Sequence, residues 1–297
     1  MAARCNRVKD VVGPIAFEDY AALEEGAARE FIDSKMLTPI RVSDSSGPFF
    51  LNDAVQLCKL LRTEKNLFQL YEEASGRHLL SAKQRGNQYY ISSYEFKGHF
   101  SPSKFSAVVR QYGGDKAPVS YRLYLCVGAQ LLNNQARPII EVWPSSSCCA
   151  GQYVRKLRIL LPTPTPRGDV SPHYTHDYSK LAGKHSSPTH TSASGVIRLR
   201  NKTPIVKNGA YSLKFARGRA KLSSSKNFLV YREEDLRYDA DAPSEEAVFQ
   251  LGKMGSRTFA LDFCNPLSPL QAFAIALAAF DSKHLQPPKT PRKPGSL

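Results

Sequence analysis

Residues 266–283 read PLSPLQAFAIALAAFDSK, and from Ala272 to Phe280 no side chain is polar. Ser268 is a good N-cap, and Pro269 suits the first helical position, where a missing N–H costs nothing. The helix then carries Leu270, Phe273, Ile275, Leu277 and Phe280, with alanines filling the other faces, until Asp281 supplies the first charge. A helix that is apolar all round has to be buried all round. About 14 residues at 1.5 Å each make a rod of about 21 Å, too short for a bilayer and long enough to cross a small domain. The rest of the chain therefore has to enclose it.

The enclosing material is β. From about Phe49 onward, short runs rich in Leu, Val, Phe and Tyr alternate with Gly, Asn, Asp and Ser. VQLCKLLR (55–62), NLFQLYEE (66–73), QYYISSYEF (88–96), KFSAVVRQY (104–112), YRLYLCVGAQLL (121–132) and IIEVW (139–143) make up the first half. VRKLRILLP (154–162), GVIRLR (195–200), AYSLKFAR (210–217), NFLVYRE (227–233), AVFQLGK (247–253) and RTFALDF (257–263) make up the second. About a dozen strands with no helices between them spell an antiparallel sheet, sandwich or barrel. Period-2 alternation is visible in VIRLR, with Val196, Arg198 and Arg200 on one face and Ile197 and Leu199 on the other. A sheet that must surround a helix closes into a barrel, and the alanines suit its confined interior.

Charge narrows the choice of partner. The 297-residue chain carries a net +15, which points to nucleic acid or an acidic membrane face. Residues 1–47 hold 6 basic and 8 acidic side chains, whereas residues 151–232 hold 16 and 2. The positive charge thus sits on the folded body. Residues 17–36, FEDYAALEEGAAREFIDSKM, read as an amphipathic helix suited to a protein partner, within an N-terminal appendage spanning 1–47. Residues 162–194 are rich in Pro, Ser, Thr and His and read as a disordered loop inserted in the barrel domain, 48–283. Thr163, Thr165, Ser171 and Ser187 each precede proline there. A basic, Pro-rich tail covers 284–297. The N-terminus has no apolar run of the secretory kind. Six cysteines without a CxxC are expected to be free thiols. These features suggest a cytoplasmic monomer. There is no Walker loop, GxSxG, HExxH or GxGxxG, so neither an enzyme nor a cofactor is expected. His173, His176, His185 and His190 with Cys148 and Cys149 are too irregularly spaced to argue for a metal.

LQAFAIALAAFDSK (270–283) resembles the closing signature of the tubby domain, the C-terminal module of tubby and tubby-like proteins. LDFCNPL (261–267) resembles its lead-in. NKTP (201–204), YSLKF (211–215), GR (218–219) and KNF (226–228) follow its second signature in order. QLCKLLRTEK (56–65), LFQLY (67–71), GRHLLSAKQR (76–85) and YYIS (89–92) are similar to its first strands, and RKLRILLP (155–162) to an internal one. The resemblance covers about residues 48–283. It implies a twelve-stranded antiparallel barrel around a hydrophobic C-terminal helix. It further implies binding of phosphoinositides, typically phosphatidylinositol 4,5-bisphosphate, at the inner plasma membrane. Such proteins act as tethered adaptors, in trafficking to cilia among other roles, and some are released to the nucleus.

In this family a Lys-x-Arg clamps the phosphates, and Lys83 and Arg85 match it. Positions i and i+2 of a strand share a face; lysine offers a mobile point charge and arginine a planar fork. Lys104 matches a further family lysine. The chain departs from the pattern at Gly86-Asn87-Gln88, where a basic run is usual, and at His99 and Ser101, where lysine and arginine are usual. The competing reading is a DNA-binding regulator that uses the basic surface, with Arg198, Arg200 and Lys202 as contacts for either ligand. No nucleic-acid-binding motif accompanies that charge.

Overall fold

The computed structural model describes residues 55–96, 105–114, 117–127, 130–131, 138–149, 152–162, 196–207, 210–236 and 247–281. The helix expected over 17–36, the segment 163–194, the tail, His99, Ser101 and Lys104 lie outside them.

Nine strands precede residues 163–195: β1 Gln56–Glu64, β2 Leu67–Glu72, β3 His78–Arg85, β4 Gln88–Ser92, β5 Ala107–Gly114, β6 Ala117–Val127, the two-residue β7 Gln130–Leu131, β8 Ile140–Cys149 and β9 Gln152–Pro162. Six follow them: β10 Val196–Asn201, β11 Ile205–Lys207, β12 Ala210–Ser212, β13 Phe228–Arg232, β14 Phe249–Lys253 and β15 Thr258–Phe263. Among the described residues twelve of these form a closed antiparallel ring, in the order β5-β4-β3-β2-β1-β15-β14-β13-β10-β9-β8-β6, with β6 returning to β5. The short β7 extends β6, and β11 with β12 forms a separate hairpin. Closure leaves the ring without an edge strand.

Inside the ring lies α1, Pro269–Phe280. Eleven of its twelve residues are buried, Gln271 being the exception. Its N-terminus is closed by a capping box: the Gln271 amide donates to Ser268 Oγ, and the Ser268 amide donates to Gln271 Oε1 at 3.0 Å. Gln271 Nε2 also donates to the Ile139 carbonyl at 3.1 Å, fastening this end to the approach to β8. At the other end Arg155 donates from β9 to the Ala279 carbonyl. A guanidinium there satisfies an orphan carbonyl and opposes the negative end of the helix dipole. Phe280 packs against Phe68 and Phe259, with ring centroids 5.1 and 4.8 Å away.

The wall residues facing α1 follow from period 2. On β3, Leu80 and Ala82 are buried against the helix-centred core, so Lys83 and Arg85 near the strand's end are left to the outside rim. The turn after β3 has two residues, Gly86 and Asn87, with Gly86 at φ 58. A positive φ at the first central position is the glycine requirement of a type II′ hairpin, which sets Arg85 directly opposite Gln88.

The run AYSLKFAR (210–217) departs from its expected strand role. Only Ala210–Ser212 forms a strand, and that pairs with β11 rather than with the barrel. The chain then makes a 3₁₀ turn at Ala216–Gly218 and crosses the outside of the wall. Arg219 anchors it with two bonds to Asp262, at 2.8 and 2.7 Å, a contact to Glu73 and a bond to the Cys58 carbonyl. Burial opposes the Arg219 charge, but Asp262 and Glu73 outweigh it and raise the arginine's pKa. Gly252 lies directly beneath: a Cβ there would collide with the Arg219 carbonyl. Cys58, Cys126 and Cys264 are free and buried.

The plug makes stability depend on every face of α1. Phe273→Ala is expected to cost about 3–5 kcal/mol by leaving a cavity, and Ala276→Phe about 1–3 kcal/mol or more by overfilling the barrel. Urea unfolding would measure both. Truncation before Gln271 should yield insoluble or molten protein; a truncated chain that unfolds cooperatively with native near-UV dichroism would refute the plug.

Candidate functional site

Lys83 and Arg85 are on the outer face of β3, as the strand period requires. Lys83 is half-buried and its Nζ is 3.0 Å from Glu64 Oε2, at the tip of the β1–β2 hairpin. Arg85 is exposed at the rim. Glu64 is largely exposed, and such a surface pair is worth about 0–1 kcal/mol. A phosphate dianion can therefore take the carboxylate's place at little cost. The structure brings Lys83 and Arg85 together; Lys104 lies outside the described residues.

Strand register adds arginines that the linear sequence does not connect to this pair. Arg85 is opposite Gln88, Gln88 opposite Arg110, Arg110 opposite Arg122, and Arg122 opposite Glu141. With about 4.8 Å between neighbouring strands, Arg110 is about 10 Å along the row from Arg85. Arg122 is committed elsewhere: its Nε is 2.6 Å from the buried Glu141 carboxylate, and its guanidinium lies 4.7 Å from the centroid of the Tyr112 ring. Burial raises the Glu141 pKa and outweighs Arg122 and Trp143, which act to lower it. Arg110 lies over Tyr124 at 6.0 Å, and its buried Nε has no hydrogen-bond partner among the described residues. Alternation in VVRQY and YRLYL hints that both arginines face outward, but their row with Arg85 depends on pairing that only the folded barrel supplies.

The other basic residues separate. On β10, Arg198 is exposed, Arg200 donates to the Leu236 carbonyl at 2.8 Å, and Lys202, just beyond the strand, is buried with its Nζ 5.9 Å from the Tyr231 ring centroid. They do not form one phosphate-facing row. A further group gathers where α1 ends. Lys226 Nζ lies 4.6 Å from the Phe280 ring centroid. Burial first, and then the charges of Arg62, Arg155 and Lys253, lower its pKa to about 8. Arg62 is opposite Phe68 and Leu67 is opposite Lys83, so this group and Lys83 share one end of the barrel. Among the described residues no group of three or more His, Cys, Asp or Glu could hold a metal ion, and no helix is long and apolar enough to cross a membrane.

The Tub family model matches residues 132–282, just over half of the chain. The chain belongs to the Tub family. Human tubby-related protein 2 is 42% identical over 89 residues, covering 29% of this chain and 15% of that protein. Mouse tubby-related protein 2 is 34% identical over 134 residues, covering 43% of this chain and 21% of the relative. Tubby-like F-box protein 2 of Arabidopsis thaliana is 40% identical over 90 residues, covering 29% and 22%. The chain thus matches well under a third of the length of each of these relatives. The family match runs through β8, β9, the NKTP and GR segments and α1, the parts that build and staple the plugged barrel. Lys83 and Arg85 fall before it.

The depressed Lys226 pKa has a defined consequence for stability. Between about pH 8 and the ordinary lysine value of 10.5, the unfolded chain binds the extra proton, so this residue makes stability rise with pH. Cys126 and Cys264, pushed by burial to about 12 and about 11, act in the opposite sense above their ordinary 9.0. Comparison with Lys226→Gln isolates the lysine. The variant's stability relative to wild type should be greatest below pH 8 and should decline through that window. Urea midpoints measured from pH 7 to 10 would show it, and a difference independent of pH would refute the crowded-cation account.

Proposed function

We propose that this protein is a non-enzymatic, phosphoinositide-binding adaptor held at the cytoplasmic face of the plasma membrane. The single observation that carries the reading is the placement of Lys83 and Arg85 side by side on the outer rim of a Tub-family barrel. The lysine supplies a mobile charge and the arginine a planar two-pronged donor, which suits two phosphates on one ring. Glu64 masks Lys83 until a stronger anion arrives. Arg110 lengthens the cationic row in the direction where Gly86-Asn87-Gln88 carries no charge. Binding of phosphatidylinositol 4,5-bisphosphate is the leading expectation, with trafficking, at cilia among other sites, as the cellular role. Residues 17–36 are suited to recruit a protein partner, and their deletion should abolish recruitment without altering lipid binding.

Charge-assisted hydrogen bonds contribute roughly 1.5–3 kcal/mol each. Lys83→Ala/Arg85→Ala should therefore weaken sedimentation with vesicles containing phosphatidylinositol 4,5-bisphosphate by about 100-fold or more, and Arg110→Ala by less. Equal binding by wild type and the double variant would remove the site. Lys104→Ala tests the remaining residue in the same assay.

The strongly basic 151–232 region favours a second reading, DNA binding. Generic attraction would fall steeply with salt and show little sequence preference. DNA selectivity that persists at physiological salt and resists competition by inositol trisphosphate would favour the regulator over the adaptor.

A further inference from the structure

On the opposite flank of the barrel from Arg85, a cleft of about 750 Å³ opens between the β9–β10 wall and the loop that leads into β13. Its lining includes Arg155, Lys202, Lys221, Ser223, Ser224 and Ser225, and no carboxylate. The size falls in the range of small-molecule sites, and three cations facing hydroxyls suit an anion with several acceptor oxygens.

The cleft is held in shape by bonds on both sides. On the wall, Asn201 at the end of β10 accepts from the Leu157 amide at 2.6 Å and donates to the Arg155 carbonyl at 3.0 Å. This fixes the backbone from which Arg155 projects, and Arg155 is held in turn by the Ala279 carbonyl. On the loop side, the Lys221 and Leu222 amides donate to the Lys253 carbonyl at 2.9 and 3.0 Å. Asn227 Nδ2 donates to the Leu222 carbonyl at 2.8 Å, while Asn227 Oδ1 accepts from the Lys253 amide at 2.8 Å. The three serines are therefore strung between two anchored points. Lys226, between Ser225 and Asn227, lies beside this lining: burial first, and then the charges of Arg62, Arg155 and Lys253, disfavour its charge. Such a crowd of cations is relieved by an incoming anion.

We propose that this cleft is a second anion site, which takes a phosphomonoester on a polyol-sized ligand, either a lipid headgroup or a soluble inositol phosphate. Arg155 and Lys202 supply charge from the wall, Lys221 closes from the loop, and the Ser223–Ser225 hydroxyls donate to the remaining phosphate oxygens. The strand order puts β9 and β10 across the ring from β3, which carries Lys83 and Arg85.

Calorimetric titration of the full chain with inositol 1,4,5-trisphosphate tests the cleft in two backgrounds, wild type and Lys83→Ala/Arg85→Ala. Lys221 is exposed, so Lys221→Glu leaves the core intact. It should weaken binding at least about tenfold in the double-variant background, as one charge is reversed, a change of two units, next to a phosphate. Lys221→Arg should retain binding, and Arg77→Glu, with the same charge change on the β2–β3 turn, should have little effect. Sedimentation with vesicles containing phosphatidylinositol 4,5-bisphosphate separates the sources. A parallel loss in Lys221→Glu identifies a headgroup, and unchanged sedimentation identifies a soluble ligand. The cleft is overturned if Lys221→Glu leaves inositol trisphosphate binding unchanged, or if Lys83→Ala/Arg85→Ala alone abolishes it. Binding that survives Lys83→Ala/Arg85→Ala undiminished and falls with Lys221→Glu removes the rim pair and keeps the cleft.

Discussion

Enclosure of an apolar helix by a closed sheet governs the rest of the molecule. Neither part is stable alone. The helix exposes hydrophobic surface on every side, and an empty twelve-strand ring would enclose a dry void without contacts for its lining. Their union also removes the usual exits for unpaired backbone groups. The sheet has no edges, so the free polar groups of the core are those at the two ends of α1. The N-terminal end is satisfied locally by Ser268 and Gln271, and the C-terminal end by Arg155 from the wall. A helix that must fit inside also explains the alanines. At Ala272, Ala274, Ala276, Ala278 and Ala279, the wall approaches where a larger side chain would push it outward.

The outer staple has a different logic. Arg219, Asp262, Glu73 and Gln250 form a mostly buried polar cluster on the outside of β1, β14 and β15. Isolated burial of either charge would be costly. The two-pronged Arg219–Asp262 pair, with Glu73 and the Cys58 carbonyl completing the guanidinium, offsets that cost. The result is geometric more than energetic: it fixes where the 216–222 segment crosses the wall, and hence where the serine-lined loop begins. Gly252 permits the crossing at that point.

Much of this was legible in the sequence because it depends on local pattern. The helix, its Ser-Pro start and its exit at Asp281 follow from residue type and periodicity alone, whereas the pair Lys83/Arg85 stands out only through the family resemblance of residues 76–85. AYSLKFAR was misleading because its alternation resembles a strand, whereas the bonds of Arg219 to residues on β1, β15 and the β2–β3 turn decide its path. Those partners are far away in sequence. The same limit hid Arg110: that residue reads as an ordinary outward arginine until the pairing of β3, β4 and β5 places it in line with Arg85. The cleft was hidden for a similar reason, as its walls come from β9, β10 and the approach to β13.

The polarity of α1 links the core to the chemistry outside. Its C-terminus, the negative end of the helix dipole, lies at the barrel end that carries Arg62, Arg155, Lys226 and Lys253, and Lys83 shares that end. One donor of Arg155 is taken by the Ala279 carbonyl and so serves the fold. The other cations exceed what a dipole worth about half a charge can neutralise. Burial first, and then repulsion from these neighbours, lowers the pKa of Lys226. A fold that needs a single cation at this end, yet concentrates several, is electrostatically incomplete by itself. The same pole that seals the helix therefore carries a surplus of positive charge.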